Sequence, residues 1–286
     1  MRLIDVLHLG RERVIGCWQV GDVLVDPGPS SCLPTLLEAL GDERPSALLL
    51  THIHLDHAGA SGSLVERWPE LKVYVHERGA PHLIDPSRLL KSARRLYGEG
   101  MDRMWGEMVP VPERNIRVVY GGERVIDDAF EVAYTPGHAS HHVCYLHDRV
   151  AFVGDVGGVR IPPAALAIPP TPPPDIDLEA WHESIARIRA WTPARLAITH
   201  FGAYDDVDAH LEQISERLDE WAERVREQDR TRFVATIRDE IERLADHGLL
   251  PNYAQAAPPD QMYAGLERYW RKRAEAVPPV PGPSVS

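Results

Sequence analysis

Apolar positions come in short runs over the first two hundred residues and only later at helical spacing. Val14 to Val20 is β-rich, Gly21-Asp22 supplies a turn, and Val23-Leu24-Val25-Asp26 resumes as a strand. Asp26-Pro27-Gly28-Pro29-Ser30 breaks that strand and starts a helix over Leu33 to Leu40. Ala47-Leu48-Leu49-Leu50-Thr51 is wholly apolar up to its last residue, the pattern of a strand buried on both faces. A connecting helix is expected over Ala58 to Trp68, followed by a strand over Leu71 to Val75. Strand, helix, strand opens an α/β architecture.

From Pro86 to Met108 the period becomes helical, with Leu89, Leu90, Ala93, Leu96 and Tyr97 opposite Arg88, Lys91 and Arg95. Short strands are then expected at Ile116–Tyr120, Arg124–Ile126, Phe130–Tyr134, Val143–Leu146 and Val150–Val153. Residues 162–174 hold seven prolines and should form a stiff loop. A helix over Leu178 to Ala190 leads into a strand over Ala194 to Thr199. Its end, Leu196-Ala197-Ile198-Thr199-His200, echoes Leu48-Leu49-Leu50-Thr51-His52, a hint of two related halves. Beyond Asp205, the spacing of Val207, Leu211, Ile214, Leu218, Trp221 and Val225 predicts a long amphipathic helix. Two more helices should follow, around Phe233–Leu244 and Met262–Glu275. The expected organisation is one domain over 1–205 with a helical insertion near 86–110, a helical extension over 206–277, and a disordered tail at 278–286.

Composition narrows the picture. The chain has 286 residues, 44% hydrophobic and 26% charged, as ordinary globular proteins do. No apolar run reaches the roughly 18–20 residues of a membrane span. With 31 Lys and Arg against 43 Asp and Glu, the net charge of −12 argues against nucleic acid as a partner. Neither a signal peptide nor a disulfide framework is visible among Cys17, Cys32 and Cys144, so a cytoplasmic location is expected.

The chemistry concentrates in Thr51-His52-Ile53-His54-Leu55-Asp56-His57-Ala58-Gly59, three histidines and an aspartate within six residues. In an extended segment His52, His54 and Asp56 share a face, and His57 joins them where the chain bends. Crowding such side chains together without a cation is costly, and neutral imidazoles with carboxylates suit zinc, iron or manganese. Three further pieces have the same look: Gly137-His138 on a turn, Gly154-Asp155 at a strand end, and Thr199-His200 at another.

In this order the motifs resemble those of the metallo-β-lactamase superfamily, and within it the glyoxalase II-like and lactonase-like hydrolases. The resemblance covers about residues 3–205. It implies an α/β fold, an αββα sandwich, with a two-metal site at one edge of the sheets. It assigns His52, His54 and His138 to one divalent metal, Asp56, His57 and His200 to the other, and Asp155 to both. The metals implied are foremost zinc, with iron or manganese as alternatives. The implied activity is hydrolysis of a small carboxylic ester, lactone or thioester by a metal-bridging hydroxide, with Asp56 steering the proton. An iron-dependent persulfide dioxygenase and a non-enzymatic metal-binding sensor remain alternatives. The run Gly154-Asp155-Val156-Gly157-Gly158-Val159-Arg160 departs from the usual thioesterase sequence after its aspartate.

Further expectations attach to single residues. Tyr204 is a candidate catalytic donor, His142 and Asp26 are candidates to orient the ligands, and Arg268, Arg271, Lys272 and Arg273 could meet an anionic substrate or simply face solvent. The Met-rich segment Leu96, Tyr97, Met101, Met104, Trp105, Met108 could roof a cleft, with the proline-rich loop at its rim. No membrane partner is expected. A homodimer is, on the ground that the long apolar stripes after Asp205 need covering.

Overall fold

The computed structural model describes residues 1–245 and 248–276. The first sheet contains β1 (Arg2–Asp5), β2 (Gly16–Val20), β3 (Val23–Val25), β4 (Ala47–Leu49), β5 (Lys72–His76) and β6 (Ile116–Val119), in that spatial order. Its β1, β2 and β3 are antiparallel neighbours, whereas β3 to β6 run parallel. The second contains β7 (Arg124–Val125), β8 (Phe130–Tyr134), β9 (Val143–His147), β10 (Val150–Phe152), β11 (Arg195–Ile198) and β12 (Gly202–Tyr204), again side by side. Here β10 and β11 are the parallel pair.

Alternation along the strands explains why the sheets stack. Val23, Val25, Ala47 and Leu49 belong to one buried cluster with Phe130, Val132, Val143, Tyr145 and Phe152 of the other sheet. Their alternates Leu24, Leu48 and Leu50 belong to another cluster, with Leu36 and Leu64 of the covering helices. Strands β3 and β4 are therefore buried on both faces, as the apolar run over β4 predicted. Helices cover both outer faces, giving four layers, helix, sheet, sheet, helix.

The helices on the first side are α1 (Leu33–Leu40), α2 (Leu55–Ala58), α3 (Ser61–Arg67), α4 (Ala80–Ile84), α5 (Ser87–Tyr97) and α6 (Met101–Trp105). The helix expected over 58–68 is α3, and the short α2 precedes it. On the second side, α7 (Leu178–Ala190) starts at Asp177, whose side chain accepts the Ala180 N–H as an N-cap. The extension contains α8 (Val207–Glu227), α9 (Arg230–Leu244), α10 (Leu250–Ala256) and α11 (Pro259–Ala276). Leu211, Ile214, Leu218 and Trp221 of α8 share one buried cluster with Val153, Ile198 and Trp181 beneath them. The apolar stripe of α8 is thus covered within the chain, which removes the ground on which a homodimer was expected. The expected disordered tail lies outside the described residues. No described helix is long and apolar enough to cross a membrane.

The extension also reaches the first side. His8 donates from Nε2 to the Met104 carbonyl (2.9 Å), accepts Gln255 Nε2 at Nδ1 (3.0 Å), and stacks on Trp105. One buried imidazole thus joins the N-terminal loop, the insertion and α10. The three thiols are sealed in the interior. Burial, together with nearby acidic groups, raises Cys17 well above the usual range; burial also pushes Cys32 up to about 11 and Cys144 up to about 12.

On the buried face of α8, His210 Nε2 donates to the Gly157 carbonyl (2.7 Å), while Nδ1 stands 3.4 Å from Arg160 Nη1. Burial and then the Arg160 charge pull His210 down to about 4. Between its ordinary value near 6.5 and 4, the unfolded chain binds the proton and the folded one resists it. Acidification through that window should therefore destabilise the fold by on the order of 3 kcal/mol through this residue, and no further below it. Denaturant titrations at several pH values should show the corresponding slope for the natural protein and a flatter one for His210→Gln.

Candidate metal centre

The buried strand β4 ends at Leu49, although the Leu50 N–H still bonds the Tyr74 carbonyl (3.0 Å). The chain then leaves the sheet edge extended through His54, which caps α2 with φ −60° and ψ 152°. His52 and His54 consequently share a face, but Asp56 already lies on the helical turn and points elsewhere. His138 stands on the turn after β8, Asp155 on a 3-10 turn after β10, and His200 directly after β11. Two glycines are required for this assembly. Gly137 (φ +139°) packs so closely that a Cβ would lie 2.4 Å from Trp181 Cα, and at Gly154 (φ +45°) one would lie 2.5 Å from Thr51 Oγ1.

Seven side chains converge in two groups, His52, His54, His138 and Asp155 in one and Asp56, His57 and His200 in the other. Asp155 faces both. Its Oδ2 is 3.2 Å from His138 Nε2 and 4.0 Å from His52 Nε2. Its Oδ1 is 3.1 Å from His57 Nε2 and 3.4 Å from His200 Nε2. Asp56 Oδ2 closes the second group, 3.5 Å from His200 Nε2 and 3.7 Å from His57 Nε2. The split corrects the simple alternation argument, which had put Asp56 with His52 and His54.

Hydrogen-bond bookkeeping tests whether a cation fits. His138 donates its Nδ1–H to the Pro170 carbonyl (2.9 Å), so in the neutral ring Nε2 carries a lone pair. Thr51 Oγ1 gives its proton to Asp26 and so accepts from His52 Nδ1 (3.1 Å), which fixes a second lone pair at His52 Nε2. His54 Nδ1 stands between them, 3.0 Å from His52 Nε2 and 2.9 Å from His138 Nε2. At most one proton serves three nitrogens. Nitrogens held about 2.0–2.1 Å from a tetrahedral zinc stand about 3.3–3.4 Å apart, close to these separations. In the second group His200 Nδ1 donates to the Val14 carbonyl (2.6 Å), and His57 Nε2, His200 Nε2 and Asp155 Oδ1 are buried without a hydrogen-bond partner. Both donor sets fit a divalent cation.

Electrostatics separates the groups. Burial and then its imidazole neighbours hold His52 well below the ordinary histidine range, and burial followed by His138 holds His54 down to about 4. Burial acts the same way on His57, but Asp155, Asp56 and Asp26 outweigh it and raise this histidine well above its ordinary value. His200 is raised too, by Asp155 and Asp56 against its burial. Burial would raise both carboxyls, yet His57 and its neighbours lower Asp56 and hold Asp155 well below the carboxylate range. The carboxylates thus favour positive charge at the second group, which a cation would supply.

Behind the groups lies Asp26, fully buried and surrounded by donors. Its Oδ1 accepts the Thr51 N–H (2.8 Å), and its Oδ2 accepts Thr51 Oγ1 (2.7 Å), His57 Nδ1 (2.8 Å) and Thr199 Oγ1 (2.9 Å). The two Thr-His repeats seen in the sequence meet on this one carboxylate. His142 stacks behind His52 at 5.1 Å and bonds Thr135 Oγ1 (3.0 Å).

Residues 21–200 match the family profile described as the metallo-beta-lactamase superfamily. The chain belongs to this superfamily. It is 28% identical over 212 residues to the metallo-beta-lactamase fold-containing protein ST1585 of Sulfurisphaera tokodaii, covering 69% of this chain and 76% of that one. The crystal structure of ST1585 superposes with a TM-score of 0.65 at 21% identity, over 89% of this chain and 93% of the other, which shows the shared fold. The hydroxyacylglutathione hydrolase of Xylella fastidiosa is 33% identical over 133 residues, 46% of this chain and 40% of its own length. The chain therefore spans less than half of that enzyme. TTHA1623, solved in a di-iron-bound form, superposes with a TM-score of 0.50 at 26% identity, over 70% of this chain and 93% of its own.

In this superfamily member a cavity of about 490 Å³ opens over the seven side chains, with His54, Asp56 and Asp155 in its wall. Leu96, Tyr97, Met104 and Trp105 line it as the sequence suggested, but Met101 and Met108 are buried in the core instead. Pro170 to Pro174 form its rim. Tyr204 does not line it: its hydroxyl lies 2.6 Å from both the Arg160 and the Phe201 carbonyl, which compete for its one proton, so it braces the loop after His200 and is not placed to touch a substrate. Of the C-terminal cations, Arg268 and Lys272 bond the Pro174 carbonyl (both 3.1 Å) and Arg273 pairs with Glu179; none lines this cavity. His141 does, stacked 6.2 Å from His52, and the sequence reading passed over it. Its place beside His142 in the Gly-His segment was the available signal.

Asp26 yields a direct test. Asp26→Ala strips four buried donors of their acceptor and should cost about 3–5 kcal/mol. Urea titration of the metal-free protein should show that loss, whereas Asp22→Ala, on an exposed turn, should change little.

Proposed function

We propose that the chain is a dinuclear metal-dependent hydrolase of a small carboxylic ester, lactone or thioester. One cation would be held by His52, His54 and His138, a second by Asp56, His57 and His200, and Asp155 would serve both. The observation that carries this reading is the Asp155 carboxylate, one oxygen turned to each imidazole group at the wall of an open cavity. The thioester activity in the name of the Xylella hydrolase and the two irons of TTHA1623 support it, the latter favouring iron beside zinc. When bound, such a metal pair lowers the pKa of water towards neutrality and polarises a carbonyl.

The chain's own groups supply the rest. The Asp56 side chain is 20% exposed and lines the cavity, so its carboxylate is placed to take a proton from water and return it to the leaving group. The carbonyls of Val14 and Pro170 hold His200 and His138 in the tautomer that points Nε2 inward. The thiols cannot compete as nucleophiles, because burial keeps them protonated. Free buried thiols also fit the cytoplasm.

The test is metal analysis together with turnover on an ester, lactone and thioester panel. About two metals per chain are expected. Hydrolysis should vanish with a chelator and return with zinc, iron or manganese. Asp155→Ala should lose both metals and most turnover, His200→Ala chiefly one metal, with circular dichroism unchanged in each. Two metals and full turnover in Asp155→Ala would remove the bridging role. Oxygen uptake with a persulfide substrate, in place of hydrolysis, would overturn the reading.

A further inference from the structure

Helix α5 is thinly covered. Of its eleven residues only Ala93 is buried, although Leu89, Ala93 and Leu96 recur on one face and Leu96 remains 38% exposed. That face rests on the core of the first side through Ala93 and Leu89 and leaves Leu96 exposed. It lines the cavity, with Tyr97, Met104 and Trp105 beside it and Ala256 and Met262 of the extension across from it. An apolar wall of this kind, around a space of about 490 Å³, has the size and character of a small-molecule pocket, typically about 300–1,000 Å³.

Cations gather at the cavity although the whole molecule is acidic. The net charge is −12, yet α5 carries Arg88, Lys91, Arg94 and Arg95 and no acidic residue. Arg88 and Arg95 line the cavity together with Arg78 from the loop before α4. Among the described residues Arg94 pairs with Asp102, whereas no carboxylate lies within 4 Å of the Arg78, Arg88 or Arg95 guanidinium groups. The carboxylates that share the cavity are already engaged: Asp56 and Asp155 belong to the seven-residue centre, and Asp175 accepts the Ser140 hydroxyl (2.8 Å). Three guanidinium groups therefore stand at an apolar cavity without a partner of opposite charge, in a protein with acidic groups to spare.

We propose that the cavity accepts an acyl thioester or ester with an apolar acyl chain and an anionic leaving group. The chain lies along Leu89, Leu96 and Met262, and the anion meets Arg88, Arg95 and Arg78. This assignment deepens the hydrolase reading and rests on it for the bond that breaks. Water adds to the acyl carbon, the bond to sulfur or oxygen breaks, and the thiol or alcohol leaves with a proton while the acyl group becomes a carboxylate. The recognised anion is a phosphate or a carboxylate, since guanidinium binds either.

Non-hydrolysable thioethers test recognition apart from turnover. Calorimetry on the metal-loaded protein compares S-ethyl and S-octyl coenzyme A, S-octyl glutathione, and the uncharged S-octyl-N-acetylcysteamine. S-octyl coenzyme A should bind at least about tenfold tighter than S-ethyl, since each buried methylene contributes about 0.8 kcal/mol. The uncharged thioether should bind at least about tenfold more weakly than the better anionic one. A tighter coenzyme A arm assigns the anion to phosphate, and a tighter glutathione arm to carboxylate. The double variant Arg88→Gln/Arg95→Gln should abolish the preference for charge, while Lys91→Gln/Arg94→Gln, on the far side of α5, should keep it. Leu96→Gln should shrink the chain-length effect. These positions are exposed or half-buried, so folding should survive. Equal binding of the S-ethyl and S-octyl ligands, or of the charged and uncharged ones, overturns the proposal. Metal-dependent hydrolysis of a small neutral thioester, measured alongside, decides the hydrolase reading separately.

Discussion

The structure turns on a carboxylate buried away from water. A charge at the position of Asp26 is tolerable only if donors surround it, and the fold supplies them from three places. Thr51 comes from the end of β4, Thr199 from the end of β11, and His57 from the turn of α2. Those strands belong to different sheets, so one anion fixes how the sheet edges meet. His52 and His200 follow directly after the two threonines in sequence. Their positions are consequences of the same constraint, and the two imidazole groups inherit their spacing from it.

The legible parts of the chain were those governed by local pattern. Leu33–Leu40 and Leu178–Ala190 emerged with the expected bounds, because amphipathic period and end signals are local. The convergence of His52, His54, His138, Asp155 and His200 was legible through the motifs. Asp26 was not, since an aspartate before Pro27 reads equally well as a turn residue, and its donors lie up to 173 positions away. Tyr204 misled for the complementary reason. Its distance from His200 in sequence said nothing of its hydroxyl, which is taken up by two backbone carbonyls. The short strands β1 and β12 and the helix α10 had too few residues to show a period. Nor could a sequence stripe on α8 reveal that its partner was the second sheet of the same chain.

Two different kinds of structure meet at the cavity. The seven convergent side chains hang from strand ends and from the short helix α2 that follows one of them, which the close-packed sandwich holds rigidly. The walls come from α5 and α6, the proline-rich loop and the extension, and His8 clamps α6 to the extension. Chemistry sits on the rigid part and selection on the appended part. A substitution on α5 changes what is admitted without touching the groups that act on it.

The sealed thiols have a practical consequence. Thiol-directed reagents react with the thiolate at an accessible sulfur, and neither condition holds at Cys17, Cys32 or Cys144. The natural chain is therefore already a blank background for site-directed labelling. A cysteine placed at an exposed position such as Ser92, on the cavity side of α5, would accept a fluorophore or spin label without removal of the native three. The surroundings of that helix at the cavity, with and without ligand, could then be read in the otherwise unaltered protein.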